Sequence, residues 1–470
     1  MNLLTVRCRY TGASLASAGP FFETDVNQTD ATGTQPTNGW PLFNPRIAFS
    51  TISGFWNIQP NGSGTNYPWL NQYGWESFIA GIPHPTAIVF AFGDNYEAYL
   101  DATVKNTTIS NYQSKVTFKN GLAEWMYTWS PPETATTFNI SYTVLFSLSR
   151  PNVIAVKADI TPSGDINGTV TDLLDGRSAV RSYLNDKGMD ANGNTIYTSV
   201  HPSGLANRTG YVVSGLNFSE VYTNASSRAA GSGLYVPQND TTISQSFAIN
   251  LKKGETATFY KYVGVTSNDK FPDSEATARE IQETAQADGW NTLYDEHVTA
   301  WSKIMAADNI DDFADPATGD LPDNAIIQLL HMQSMANTFY LVSNLLPDGS
   351  GLNDDSVSVG GLASDSYGGD IFWDADYWMG PGLNIAFPSY SKQISNFRVK
   401  QLPQALANAA FNGYPEGSAL FPWTAGRYGN CTGTGPCVDY EYHINYDISF
   451  NILQQYNITR DLTWFNEGPR

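Results

Sequence analysis

Residues 247–281 read FAINLKKGETATFYKYVGVTSNDKFPDSEATAREI, and the fold class depends on the change of pattern within this stretch. Phe247 and Ile249 alternate with small or polar residues, which predicts a half-buried β-strand. The segment Lys252–Glu255 then predicts a hairpin turn. Pro272–Glu275 predicts the beginning of a helix, because Asp or Ser can cap it and Glu stabilises its first turn. Strands are therefore expected before this point and helices after it.

The same alternation occurs earlier in the chain. Residues 154–160 place Ile, Val, Ala and Ile at every second position, as in a strand with one buried face. The Asn-Gly pair at 120–121 predicts a turn between two further strands. Gly, Asn and Asp recur at short intervals throughout this part of the chain. We therefore predict a large antiparallel β-sandwich before the change near Phe271.

Apolar residues after the change recur at helical spacing. We expect one helix through Ile281, a second around Trp301 and a third that begins at Leu321–Asp323. The predicted buried face of the third helix consists of Ile326, Ile327, Leu330, Met335 and Phe339. Pro403 is expected to begin another helix, and residues 438–456 to form the last one. Segregated strands and helices favour separate domains over βαβ units.

The composition limits the classes of function. The net charge is -20, and an acidic chain without a Lys/Arg cluster repels nucleic acid. Charged residues make up only 15% of the chain, so Ser, Thr, Asn and Gly supply much of the polar surface, which is typical of an extracellular or acidic-lumen protein. The sequence contains no apolar run long enough to cross a membrane. The polar N-terminal residues do not form a signal peptide, so we expect the true N-terminus to be absent from this chain.

Two further features favour the same kind of compartment. Cys431 and Cys437 flank a turn-prone segment, where they form either a local disulfide or two free thiols. N-glycans are expected because sequons are frequent. The sequons begin at Asn27, Asn61, Asn106, Asn139, Asn167, Asn207, Asn217, Asn224, Asn239, Asn430 and Asn457.

Several kinds of chemistry find no support in the sequence. The five histidines are scattered and show no metal-binding spacing, so no metal or other cofactor is predicted. The sequence also lacks a G-x-S-x-G motif and a phosphate-binding glycine loop, which argues against serine nucleophiles and nucleotide chemistry.

Two segments combine carboxylates with aromatic rings. Residues 369–378 (GDIFWDADYW) fit either a sugar site or an acidic helix start with core aromatics. Residues 438–447 (VDYEYHINYD) place Glu441 near the beginning of a helix, between two tyrosines. Partial burial would raise the pKa of a carboxyl there, as a general acid requires, whereas the helix N-terminus would lower it. A surface Glu that stabilises the helix dipole is the alternative.

These two segments resemble glycoside hydrolase family 65, and within it the fungal acid trehalases. Further resemblance is found in Gly19–Glu23 and Trp40–Asn44, in residues 362–376, and in the loop 417–437. The resemblance implies an (α/α)6 barrel after the sandwich and an inverting mechanism with trehalose as the substrate.

The resemblance also implies the roles of individual residues. Glu441 would protonate the glycosidic oxygen, Trp373 and Asp374 would hold the non-reducing glucose, and Trp423 would line the same pocket. An inverting enzyme needs a second carboxylate roughly 6.5–9.5 Å from the acid. In the family this base lies C-terminal to residue 470.

Together, the pattern and the resemblance predict a multidomain protein, β then α. Residues 1–270 are expected to form the N-terminal antiparallel β-sandwich, 271–315 a helical linker and 316–470 a partial (α/α)6 barrel. We expect the chain to be a fragment that lacks the base, from an enzyme located outside the cell, in the cell wall or in the vacuole. A disaccharide phosphorylase of the same family and a non-catalytic carbohydrate-binding remnant are the alternatives.

Overall fold

The computed structural model describes residues 17–23, 48–58, 77–191, 193–306, 308–347, 355–429 and 442–468. Its strands all precede its long helices. The strands are β1 His84–Phe92, β2 Ala98–Tyr99, β3 Ile109–Thr117, β4 Leu122–Trp129, β5 Phe138–Phe146, β6 Val153–Pro162, β7 Ile166–Asp175, β8 Ser182–Met189, β9 Thr195–Pro202, β10 Gly210–Phe218, β11 Thr223–Ala230, β12 Ile243–Leu251 and β13 Ala257–Ser267.

The strands form two antiparallel sheets packed face to face. One sheet has the order β11-β12-β7-β1-β2, and the other has the order β3-β4-β5-β6-β13-β10-β9-β8. Side chains of both sheets fill one shared apolar core, which includes Phe90 and Val170 from the first sheet and Trp125 and Phe259 from the second. β1 is buried along its whole length, whereas buried residues alternate with more exposed ones along β5 and β12. This period-2 burial is the alternation seen in the sequence, so the predicted antiparallel sandwich is confirmed.

The two turn predictions differ in outcome. The Asn-Gly turn at 120–121 joins β3 to β4, which pair with each other, so that hairpin is confirmed. The segment Lys252–Glu255 does turn, with Gly254 at φ +73°, but it leads from β12 in one sheet to β13 in the other. The predicted hairpin is therefore wrong: β12 pairs with β7 and β11, while β13 pairs with β6 and β10.

The helices follow the sandwich. They are α1 Ser274–Ile304, α2 Ala325–Val342, α3 Gly380–Asn384, α4 Pro388–Phe411, α5 Ile444–Thr459 and α6 Leu462–Glu467, with a π-helical turn at Ala375–Met379. The two helices predicted through Ile281 and around Trp301 form a single element, α1, with a kink at Gly289, where φ is 77°. α1 covers the outer face of the larger sheet, where Leu293 and Ala285 pack against Tyr262.

Two helix predictions need correction. In α2, Phe339 is buried against Trp301, but Ile326 is 69% exposed, because apolar side chains occur on every side of this helix and only its C-terminal end packs. Pro403 lies inside α4 and does not begin a helix. It occupies an exposed position. Ile394 and Phe397 before the proline and Ala405 after it are buried. The helix continues through Pro403 because this burial stabilises it by more than the one lost backbone hydrogen bond costs.

The order of sheets and helices agrees with the predicted β-then-α fold. Ile444 and Ile448 of α5 are buried, as the last predicted helix requires, whereas residues 438–441 lie outside the described part. The division at 270 and 315 stays a prediction. Within the described residues, the helices are all too short or too polar to cross a membrane.

Candidate functional site

The sandwich holds the beginning of the aromatic segment 369–378. The indole N–H of Trp56 donates to the carbonyl of Gly369 at 3.0 Å, and the backbone N–H of Ile79 donates to that of Gly368 at 2.7 Å. Gly369 has φ +65°, and a Cβ atom there would lie 2.3 Å from the Ile79 side chain. The position therefore requires glycine for both backbone conformation and close approach.

An antiparallel bridge joins this segment to the loop that contains Trp423. Ile371 and Ala425 exchange two backbone hydrogen bonds, of 2.9 and 3.0 Å. Trp373 lies two residues after Ile371 and begins the helical turn that follows, while Trp423 lies two residues before Ala425. Both side chains are partly buried. The loop is also held from α4, because the Gln401 side-chain amide donates to the carbonyl of Gly426 at 2.8 Å.

The N-terminal end of α5 completes the arrangement. The ring of His443 meets that of Trp373 edge-on, with centroids 4.9 Å apart. Ile444 and Phe421 pack in the same apolar cluster as Trp373. The Asn445 amide donates to the carbonyl of Ala419 at 2.6 Å. The aromatic segment, the 417–429 loop and α5 thus meet at one place, although long stretches of sequence separate them.

Three carboxylates lie close to these rings. Asp447 is buried and accepts from Nδ1 of His443 at 2.5 Å. Asp374 is half-buried, and burial, with a smaller contribution from the negative charge of Asp447, raises its pKa. The carboxyl of Asp374 therefore takes up a proton more readily than an ordinary Asp carboxyl does.

The third carboxylate, Asp376, forms a fully buried ion pair with Arg398. The guanidinium donates through Nη2 at 2.6 Å and through Nε at 3.0 Å to Oδ2. Burial raises the Asp376 pKa, and the Arg398 charge opposes this rise. Arg398 also donates to the carbonyl of Phe372 at 3.2 Å, so the pair fixes the backbone directly before Trp373.

Two further arginines join the sandwich to the candidate site. Arg181 forms a buried ion pair with Asp365 at 2.9 Å, at the beginning of the loop that leads to the aromatic segment. Arg427 makes a bidentate contact with Asp269, at 3.0 and 2.8 Å, four residues after Trp423. Sequence reasoning missed all three arginines, because their partners are distant in sequence and no local motif marks them.

The structure thus brings Trp373, Asp374 and the loop of Trp423 together. Several predictions lie outside the described residues: Glu441, the Cys431/Cys437 pair, and the sequons at Asn27, Asn61 and Asn430. Within the described residues, no cluster of three or more His, Cys, Asp or Glu could hold a metal ion.

Aromatic rings beside carboxylates, where a β-sandwich meets helices, are residue types suited to binding a carbohydrate. The profile of the glycosyl hydrolase family 65 N-terminal domain matches residues 21–304, and that of the family's central catalytic domain matches residues 336–469. The chain belongs to glycosyl hydrolase family 65.

Relatives and solved structures agree with this assignment. The chain is 38% identical to an acid trehalase of Emericella nidulans and 38% identical to a cell wall acid trehalase of Arthroderma benhamiae, in each case over 97% of this chain and 44% of the relative. It therefore spans less than half the length of these curated relatives. A structure described as a kojibiose phosphorylase from the human microbiome matches 100% of this chain and 57% of that one, with a TM-score of 0.71 and 15% identity, which shows a shared fold.

Proposed function

We propose that this chain belongs to a glycoside hydrolase that cleaves α,α-trehalose to glucose with inversion, with Glu441 as the general acid. The observation that carries the proposal is the convergence of Trp373, Asp374, the Trp423 loop and α5 at one place. The trehalase relatives support trehalose as the substrate. Rings of this kind bury the apolar faces of a sugar, while carboxylates bind its hydroxyl groups.

The position of Glu441 in the chain fits this role. His443, two residues later, contacts Trp373. Glu441 is thus close in sequence to a residue that contacts the ring proposed to hold the sugar. A general acid within reach of the glycosidic oxygen would protonate the leaving group as the bond breaks.

The remaining residues have positioning roles in this proposal. Asp374, whose pKa burial raises, would bind sugar hydroxyl groups beside Trp373. Arg398 and Asp376 would hold the backbone that carries both residues. The names of relatives, which include cell wall and secreted acid trehalases, support an enzyme that acts outside the cell or in the cell wall.

Glucose release from trehalose, measured with and without inorganic phosphate, tests the proposal. The protein should be expressed from its complete reading frame. Glucose in both conditions is the expected result. Release that requires phosphate would indicate a phosphorylase, and trehalose binding without product in either condition would indicate a non-catalytic carbohydrate-binding protein.

A further inference from the structure

A second cleft lies at the end of the β-sandwich opposite to the candidate active site. Its volume is about 1040 Å³, and its walls are the loop after β1, the loop before β7 and the segment between β10 and β11. β1 and β7 pair along their whole lengths, from this cleft at Phe92 and Gly168 to the end near the helices at His84 and Asp175. Strands of this length separate the two ends of the sandwich by roughly 30 Å.

Two tyrosines line the cleft. Tyr96 is 41% exposed and has φ +56°, a left-handed conformation that costs a non-glycine residue about 1 kcal/mol. Its backbone N–H closes the loop on the carbonyl of Gly93 at 3.2 Å. The hydroxyl of Tyr222 donates to Glu255 at 3.2 Å, which fixes the orientation of that ring. A strained loop that presents an exposed aromatic ring to a cleft is a feature that points to ligand binding.

The polar lining of the cleft determines which ligands fit. The carboxylates of the lining outnumber its single lysine, Lys252. The Nζ atom of Lys252 lies 3.5 Å from Oδ2 of Asp165. The lining carboxylates are Asp94, Glu133, Asp165 and Glu220. This negative charge repels polyanions. The amides of Asn167 and Asn250 bond to each other at 2.7 Å and, like the carboxylates, offer hydrogen bonds to hydroxyl groups.

We infer that this cleft binds a neutral oligosaccharide. Its volume is at the upper end of the range for small-ligand sites, which suits several linked sugar rings better than one. Tyrosine rings stack on the apolar faces of sugars, and amide and carboxylate groups satisfy their hydroxyls. A metal ion is disfavoured, because the described residues contain no cluster that could hold one.

Two sources could supply such an oligosaccharide. The sequon residues Asn167 and Asn224 both line the cleft and are exposed, so an N-glycan attached at either position would begin at the cleft itself. A free neutral glucan of the surroundings has the same chemistry. The cleft would then hold either the protein's own glycan or the protein's contact with a polysaccharide.

Binding of a neutral glucan heptasaccharide, measured by calorimetry with saturating trehalose present, tests the inference. The protein is deglycosylated enzymatically, and all forms compared carry Glu441→Gln, which slows the proposed hydrolysis of trehalose. Trehalose excludes binding at the candidate active site. We expect Tyr96→Ala to weaken binding about tenfold and Tyr96→Phe, which keeps the ring, to leave it nearly unchanged. Tyr183→Ala is the matched control, because this tyrosine is 55% exposed on β8, outside the cleft.

Protein that still carries its glycans distinguishes the two sources. If it fails to bind the heptasaccharide while an Asn167→Gln/Asn224→Gln variant binds, the protein's own glycan occupies the cleft. If both forms bind, the site is open to a free glucan. The inference is overturned if the deglycosylated protein does not bind, or if Tyr96→Ala binds as well as Tyr183→Ala does.

Discussion

The buried Arg398–Asp376 pair gives the strongest prediction about how the candidate site is held. Both side chains are 1% exposed, so Arg398→Met leaves the Asp376 carboxylate buried without a counter-charge. Removal of one partner of a buried pair costs about 3–5 kcal/mol of unfolding free energy. The carbonyl of Phe372 also loses its donor. Nη1 of Arg398 has no partner within the described residues, so one buried donor of the wild-type guanidinium is already unsatisfied. The expected loss of unfolding free energy is therefore near the lower figure, about 3 kcal/mol.

Urea denaturation followed by tryptophan fluorescence measures this loss. Arg460→Met is the matched control, because Arg460 is exposed at the end of α5, and its cost should stay within about 0.5 kcal/mol. An Arg398→Met/Asp376→Leu double variant removes both charges, so it should recover part of the lost stability. A loss under about 1 kcal/mol for Arg398→Met, or no recovery in the double variant, would refute the reasoning.

The pH dependence of the same variant provides a second check. Burial raises the Asp376 pKa and Arg398 opposes the rise, so the substitution should raise the pKa further. The folded state then binds a proton at pH values where the unfolded state does not, and stability falls as pH rises through the folded-state pKa. The difference in stability between variant and wild type should therefore be smaller near pH 4.5 than near about pH 7.

Three further predictions concern the same region. In a Glu441→Gln background, which slows hydrolysis, Trp373→Ala should weaken trehalose binding about tenfold or more, measured by calorimetry, because the ring lies where the aromatic segment, the 417–429 loop and α5 meet; unchanged affinity would contradict the proposal. Asp447→Asn removes a charge that raises the Asp374 pKa, so that pKa should fall, as followed by carbon NMR of the carboxyl group; an unchanged value would mean that burial alone sets it. Gly369→Ala should destabilise the fold by about 2 kcal/mol more than Gly413→Ala in urea denaturation. Both glycines have positive φ, but a Cβ at Gly413 has no atom within 4 Å; equal losses would contradict the packing argument.

The strands could be predicted because burial of one face leaves alternation in the sequence. The sequence did not predict which strands pair with each other. The turn at Lys252–Glu255 looks like a hairpin turn locally, and only packing decides that it joins two sheets. For the same reason, apolar spacing did not identify the buried face of α2, where Ile326 is exposed.

The candidate site, like the fold, could be predicted from the sequence only in part. Residue types and resemblance identified Trp373, Asp374 and Trp423, which the fold places in neighbouring segments. The ion pairs that support them could not be found, because Arg398 is 22 residues from Asp376 and Arg181 is 184 residues from Asp365. A pairing across such distances leaves no periodic signal in a single sequence.

The anomers of glucose released from α,α-trehalose test the central proposal most directly. Attack of water with inversion converts one glucose to the β-anomer, while the leaving glucose keeps its α configuration. Proton NMR within the first turnovers should therefore show α- and β-glucose in equal amounts without phosphate. The Glu441→Gln variant should release glucose at least about 10²-fold more slowly. Release of α-glucose alone, or an unchanged rate in the variant, would contradict the assignment of an inverting trehalase with Glu441 as its acid.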